Sequence, residues 1–171
     1  MTDASVHPLL DQLRFMRSEL RRGVGDTTEA DGGRRVEPMN SIGWIVAHMA
    51  WQEQRQWLVR GQGLAPIRPD LEEIAPNGGP PSTPSLGAML EAYAAVTAAA
   101  DPWLGGLREA DLAAELPGPG PQRTVGSAIL RVIYHGWFHT GEIVAIRQVL
   151  GHREVPEFAG RLDDEAPYRS S

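Results

Sequence analysis

The sequence contains no cysteine. This absence excludes disulfide bonds, a zinc site with thiolate ligands and a cysteine nucleophile from the chain. Chemistry that uses a thiol would therefore need the thiol to arrive as a separate small molecule. The lack of cysteine also fits a cytoplasmic protein, which is the location we expect.

Long apolar runs and long basic runs are lacking as well. No window approaches the ~20 apolar residues of a transmembrane helix, so we expect no membrane partner. The first twenty residues have no uninterrupted apolar region, which predicts that there is no signal peptide. The net charge is −6 and no basic run is longer than two residues, so nucleic acid is not an expected partner.

No stretch of the chain has the alternation of a convincing β-strand, whereas four stretches have helical spacing. These stretches run from about Ser5 to Val24, from Asn40 to Gly61, from Pro84 to about Pro102, and from Thr124 to Leu150. Long loops rich in glycine and proline follow the first and second stretches, and residues 152–171 form a tail predicted to be irregular. The pattern predicts one all-α domain over residues 1–171, a four-helix bundle with connections too long for a simple up-down-up-down order.

The sequence also predicts where these helices begin and end. Asn40 or Ser41 is expected to cap the second helix, and Thr124 the fourth. Gly61 and Gly151 are expected to stop them. Pro102 is expected to bend or end the third helix, because proline cannot donate a backbone hydrogen bond.

Three histidines lie on the predicted inner faces of two helices. His135 and His139 are four residues apart on the fourth helix, in an otherwise apolar stripe that Glu142 shares. His48 lies on the packing face of the second helix. Packing of the two helices could bring the three imidazoles together, which is the ligand set of a catalytic zinc, nickel or iron ion.

Each of these residues also has a purely structural interpretation. A buried histidine can be satisfied by a backbone carbonyl or a tyrosine, and Glu142 can pair with an arginine of a neighbouring helix. His7 and His152 lie near helix ends, where we interpret them as an exposed side chain and a partner of the helix dipole.

Three further residues are candidates around the metal ligands. Glu142 could hydrogen-bond a ligand histidine or act as a general base, and the first role is favoured. Gln52 and Arg55 share the face of His48 and could bind substrate, with Arg55 gripping a carboxylate. Their alternative is a hydrogen bond or salt bridge at the rim.

Two aromatic residues, Tyr134 and Trp137, fall on the side of the fourth helix away from the histidines. Exposed aromatic rings of that size predict a homodimer surface. Cover by the C-terminal tail is the equal alternative.

The segment "SIGWIVAHMAWQEQ", followed about 85 residues later by "HGWFHTGEIVAIRQVLG", resembles the DinB/YfiT-like superfamily. The resemblance covers most of the chain. It implies a four-helix bundle in up-down-down-up order, with a divalent metal held by His48, His135 and His139. The metal implied is zinc or nickel, with iron or manganese as alternatives. Relatives include metal-dependent thiol S-transferases and a mycothiol-dependent maleylpyruvate isomerase.

The resemblance therefore implies an enzyme that uses a low-molecular-weight thiol co-substrate on a small-molecule substrate at a metal centre, as an S-transferase or a thiol-dependent isomerase. A metal ion can lower the pKa of a bound thiol or water. Hydrolysis by metal-bound hydroxide is thus an alternative at the same site. A non-catalytic metal-binding or stress-response module is the other alternative.

Overall fold

The computed structural model describes residues 7–157 and 159–169. Ser5, the predicted start of the first helix, lies outside the described residues. The helices are α1 (Pro8–Val24), α2 (Glu29–Gly33), α3 (Ile42–Glu53), a π-helical segment (Gln54–Gly61), α4 (Leu71–Ile74), α5 (Leu86–Gly105), α6 (Glu109–Ala113), α7 (Val125–Val149) and α8 (Leu162–Glu165). The described part of the chain is helical without strands, which confirms the predicted all-α class. Within the described residues, Glu115 and Thr124 form an isolated antiparallel β-bridge.

Four long helical segments surround the core. Helix α1 packs along α7, and α3 packs along α5 and also against α7. The π-helical segment continues α3 and contacts α5. The contact between α3 and α7 matters most for function, because it brings together the two helices that carry the histidines.

Side-chain caps set where the long helices begin. The hydroxyl of Ser41 accepts a hydrogen bond from the Trp44 amide at 3.1 Å, so Ser41 rather than Asn40 is the cap of α3. Thr124 caps α7 through the Ser127 amide at 3.1 Å, as the sequence predicts. Gly151, just after α7, has a φ of 95°, a conformation that glycine adopts readily.

Pro102 was expected to bend or end the third helix, and an end at Pro102 is wrong. Helix α5 continues through Pro102 to Gly105. The lost hydrogen bond falls in the last turn, and the residues after the proline are held by packing. Leu104 is buried in the core, and the Trp103 ring stacks on Trp57 with centroids 6.3 Å apart.

Two other segments differ from their predictions in detail. The second helix changes from α to π at Gln54, and the tail contains the short helix α8. The tail also packs on the first helix, because the Gln12 side chain donates a hydrogen bond to the Ala166 carbonyl at 2.9 Å.

A buried carboxylate ties three helices together where α3 becomes π-helical. Glu53 is fully buried and accepts hydrogen bonds from Arg17, from the Trp57 indole at 3.0 Å and from the Tyr93 hydroxyl at 3.0 Å. A buried charge is stable only when it is paired and hydrogen-bonded, as it is here. Glu53 therefore holds α1, α3 and α5 in register one turn beyond His48.

No described helix combines the length and apolar character needed to cross a bilayer.

Candidate metal centre

The structure brings His48 of α3 together with His135 and His139 of α7. One ring nitrogen from each histidine lies within 4.8 Å of the corresponding nitrogens of the other two. The Nε2 atoms of His135 and His139 are 3.0 Å apart. His48 and His139 are buried, and His135 is half-buried.

Every one of these rings has its Nδ1 atom engaged by an oxygen. His48 Nδ1 is 2.9 Å from the Ala75 carbonyl, His135 Nδ1 is 2.6 Å from Gln52 Oε1, and His139 Nδ1 is 2.8 Å from Glu142 Oε2. A carbonyl and a carboxylate can only accept, so the Nδ1 atoms of His48 and His139 carry the proton. The Nε2 atoms of those two rings are left with free lone pairs.

Neutral imidazoles are the form that binds metal. Burial, followed by the neighbouring His139, His48 and Arg131, lowers the pKa of His135 to about 3. Burial also lowers the pKa of His48. Both rings are thus unprotonated near neutral pH and need lose no proton to become ligands.

The spacing of the nitrogens also fits a metal ion. A tetrahedral ion with imidazole ligands at about 2.0–2.1 Å keeps their nitrogens roughly 3.3 Å apart. The 3.0 Å separation of the two Nε2 atoms on α7 is close to that value. Two lone pairs at this distance repel unless a cation lies between them. The three-histidine cluster could therefore hold a divalent metal ion.

The alternative to a metal site is a cluster of histidines joined to one another by hydrogen bonds in the core. This alternative requires a particular orientation of the Gln52 side-chain amide. If both rings are neutral, His139 Nδ1 already donates to Glu142, so His135 would have to supply the proton between the two Nε2 atoms. His135 Nδ1 would then have to accept a hydrogen bond, with the Gln52 amide reversed. The orientation in which Gln52 Oε1 accepts satisfies all three rings in their metal-binding form.

Tryptophan rings hold the His48 imidazole from two sides. The Trp44 ring is stacked on it with centroids 4.9 Å apart and an interplanar angle of 10°. The Trp51 ring stacks at 5.4 Å and 20°. Because both rings come from the same helix as His48, one turn before and nearly one turn after it, the helix itself fixes the imidazole orientation.

A cavity of about 660 Å³ opens beside two of the histidines, His48 and His135. This volume is within the usual range for small-molecule sites. Gln52 and Arg55, the two predicted substrate-binding residues, both line it. Its polar lining also includes residues that sequence reasoning missed, namely Gln56, Arg60, Asn77, Arg123, Ser127 and Arg131.

A family model for the DinB superfamily matches residues 12–143 of the chain. The chain belongs to the DinB superfamily. The matched range includes His48, His135 and His139, so the family relationship covers the whole histidine cluster. No curated protein matches the sequence.

Within this DinB-superfamily fold, Glu142 lies behind His139. Its Oε2 atom contacts His139 Nδ1, and Glu142 is not among the residues that line the cavity. This position suits a residue that orients His139 and raises the basicity of its ring. General-base action on a substrate in the cavity would need Glu142 to reach that space.

The two aromatic residues of the predicted dimer surface have different environments. Tyr134 is 67% exposed and lines the cavity, so it does not lie on the side opposite the histidines. Trp137 is half-buried and packs against Phe15, with ring centroids 5.8 Å apart. It also lines a small pocket with Pro156 of the tail, so exposure of Trp137 was wrongly predicted and cover by the tail is the better interpretation.

The two remaining histidines have local partners away from the cluster. His7 caps α1 through the Leu9 amide and contacts Glu109 at 2.9 Å. His152, just after α7, contacts Asp31 at 3.3 Å.

Proposed function

We propose that this DinB-superfamily protein is a metal-dependent enzyme that transfers a low-molecular-weight thiol to an electrophilic small molecule. The observation that supports this most is the three-histidine cluster beside an open cavity. Among the described histidines, aspartates and glutamates, only these three histidines are close enough together to share an ion, so no carboxylate or further imidazole completes the ligand set. Three protein ligands with an open position are typical of catalytic rather than structural zinc.

Imidazole nitrogens suit zinc and nickel, and these are the ions that we propose. Bound there, the ion would lower the pKa of a thiol in the open position, which favours the nucleophilic thiolate. The chain has no cysteine, so that thiol is a co-substrate.

The protein's own residues have supporting roles in this proposal. Glu142, Gln52 and the Ala75 carbonyl hold the three rings with their Nε2 atoms free. Trp44 and Trp51 exclude water from the two faces of His48. Arg55, whose guanidinium lies 5.3 Å from the Trp51 ring centroid, faces the cavity as a substrate-binding group.

Three further proposals concern the whole protein. The family relationship supports a four-helix bundle in up-down-down-up order. The lack of cysteine supports a cytoplasmic location, and exposed aromatic rings support a homodimer. The exposed rings of Tyr134 and Phe138 on α7 are the surface proposed for the dimer.

The first experiment is the metal content of tag-free protein by elemental mass spectrometry. We expect about one zinc or nickel ion per chain, and its loss in His48→Ala, His135→Ala and His139→Ala. His7→Ala is the matched control, because it removes an imidazole outside the cluster and should keep the metal. The same metal content in His139→Ala as in the parent, or no metal in any form after reconstitution, would contradict the proposal.

The second experiment separates the possible reactions. The metal-loaded protein is incubated with an electrophilic aryl or alkyl halide, with and without a panel of small thiols. Thioether formation that requires both the metal and a thiol supports the transferase. Ester hydrolysis that proceeds without added thiol would instead indicate a hydrolase, and no turnover with metal bound would indicate a binding module.

A further inference from the structure

Arginine side chains dominate the charge around the cavity. Arg55, Arg60, Arg123 and Arg131 line it, and no aspartate or glutamate of the described residues does. None of these four guanidiniums forms an ion pair with a carboxylate in the part of the chain that the structure describes. The cavity wall is therefore locally positive, although the net charge of the whole chain is −6.

Arg60 is the fixed member of this group. It is 3% exposed, and its guanidinium donates hydrogen bonds to the carbonyls of Pro117 at 3.1 Å, Leu116 at 3.3 Å and Pro121 at 3.2 Å. Carbonyl dipoles solvate the charge without neutralising it. A buried cation with no counter-ion leaves a positive potential in the adjacent cavity.

The same hydrogen bonds hold the loop that leads to Arg123. Gly118, with a φ of 78°, and Gly120, with a φ of 134°, pack directly against the Arg60 side chain. A side chain at either position would be strained in that backbone conformation and would press on Arg60. The loop is therefore shaped to fit around one guanidinium while it brings a second to the cavity wall.

Arg55 and Arg131 complete the cluster from the two helices that carry the histidines. Arg131 lies one turn before His135 on α7 and is close enough for its charge to lower the pKa of that histidine, after burial and the two other histidines. Arg55 lies in the π-helical segment. After burial, the charges of Arg123 and Arg55 lower the pKa of Arg60, so the three guanidiniums are near one another. Both side chains are exposed to solvent and available to a ligand.

We infer that Arg55, Arg123 and Arg131 form an anion-binding subsite for a substrate with two negative charges, and that Arg60 positions its wall. Guanidinium groups match carboxylate and phosphate oxygens in pairs of hydrogen bonds. Like charges that repel one another in the free protein are stabilised when a dianion binds among them. This inference rests on the proposed function for its second part, that the dianion is the substrate whose reacting end reaches the histidines.

The test is a calorimetric titration of the full-length protein after metal removal, so that no probe can bind through an ion. The probes are succinate, its monoamide and its diamide, which have nearly the same shape and carry two, one and no negative charges. Inorganic phosphate is the fourth probe. We expect affinity to fall in the order of charge, and to weaken as salt is added.

Charge-removing variants locate the subsite. Arg123→Gln and Arg131→Gln should each weaken dianion binding by about tenfold or more, because each removes charge-assisted hydrogen bonds. Arg34→Gln is the matched control, since Arg34 is exposed, lies away from the cavity lining and loses the same charge. Circular dichroism checks that each variant is folded.

Several outcomes would overturn the inference. These are equal binding of succinate and its diamide, or a loss in Arg34→Gln as large as that in Arg123→Gln. Preference for succinate over phosphate would identify a dicarboxylate, and the reverse a phosphate ester, and either supports the subsite. Metal content and thiol-dependent turnover are measured separately, so failure of anion binding with turnover intact contradicts only this inference.

Discussion

At the scale of single residues, the state of the three histidines depends on what lies behind them. A carbonyl, an amide and a carboxylate each engage one Nδ1 atom. These acceptors select the tautomer whose Nε2 lone pair is free to bind a metal. The candidate metal centre thus depends on six groups, namely the three imidazoles and the three acceptors that hold them.

The carboxylate behind His139 provides a test at this scale. Glu142→Ala should weaken metal binding by roughly 10–100-fold, because His139 loses the partner that fixes its ring. Glu142→Gln should keep most of the affinity, since the amide oxygen can still accept from Nδ1 at the same place. Competition with a chromophoric chelator measures both. An unchanged affinity in Glu142→Ala would mean that Glu142 does not support the metal centre.

At the scale of elements, the change from α- to π-helix after Glu53 decides which side chains reach the cavity. On a uniform α-helix, Val59 shares the face of His48 and Arg60 does not. A π-helical turn has more residues than an α-turn, so positions beyond Gln54 are displaced around the axis. Arg60 is then buried at the cavity wall, which is why helical periodicity did not predict it.

The close packing of α1 on α7 gives a prediction for the same scale. A Cβ atom at Gly136 would lie 2.0 Å from the Met16 sulfur, and Met16 is fully buried. Gly136→Ala should therefore lower the free energy of unfolding by about 1–3 kcal/mol, despite the better helix propensity of alanine.

Gly141 of the same helix is the matched control, because nothing lies within 4 Å of its Cβ position. Gly141→Ala should raise the free energy of unfolding by about 0.4–1 kcal/mol. Urea denaturation followed by circular dichroism measures both variants. If the two alanine variants shift stability in the same direction, the contact between Gly136 and Met16 does not limit the packing of these helices.

At the scale of the whole molecule, a metal ion would join α3 to α7, two helices far apart in the chain. An ion that binds only the folded state stabilises it by about 2.7 kcal/mol when free metal is a hundred times its dissociation constant. For a protein of this size we expect metal removal to lower Tm by roughly 5–10 °C.

His139→Ala separates this effect from general damage to the core. We expect the variant to stay folded, because the remaining contacts between the helices are intact, and its Tm not to respond to chelator. Thermal denaturation with and without chelator makes the comparison. A chelator effect of equal size in His139→Ala would place the stabilising ion elsewhere.

Periodicity and local end signals in the sequence were sufficient to predict the four long helical segments, but not the short helices or the change to π-helix. Apolar spacing located the long helices, and Ser41 and Thr124 began two of them because a cap acts within its own first turn. The same periodicity predicted that His48, His135 and His139 point inwards, since the direction of a side chain on an α-helix follows from its position.

The tertiary structure decided everything that depends on contacts between distant segments. The Ala75 carbonyl behind His48 and the loop around Arg60 come from connections whose course no periodicity encodes. Continuation of α5 through Pro102 follows from the packing of Trp103 and Leu104, which outweighs a local preference. The packing of Trp137 against Phe15 likewise arises only when the chain is folded. The sequence by itself thus determined the long helices and the inward histidines. The tertiary structure determined which groups hydrogen-bond to those histidines and the charge of the cavity beside them.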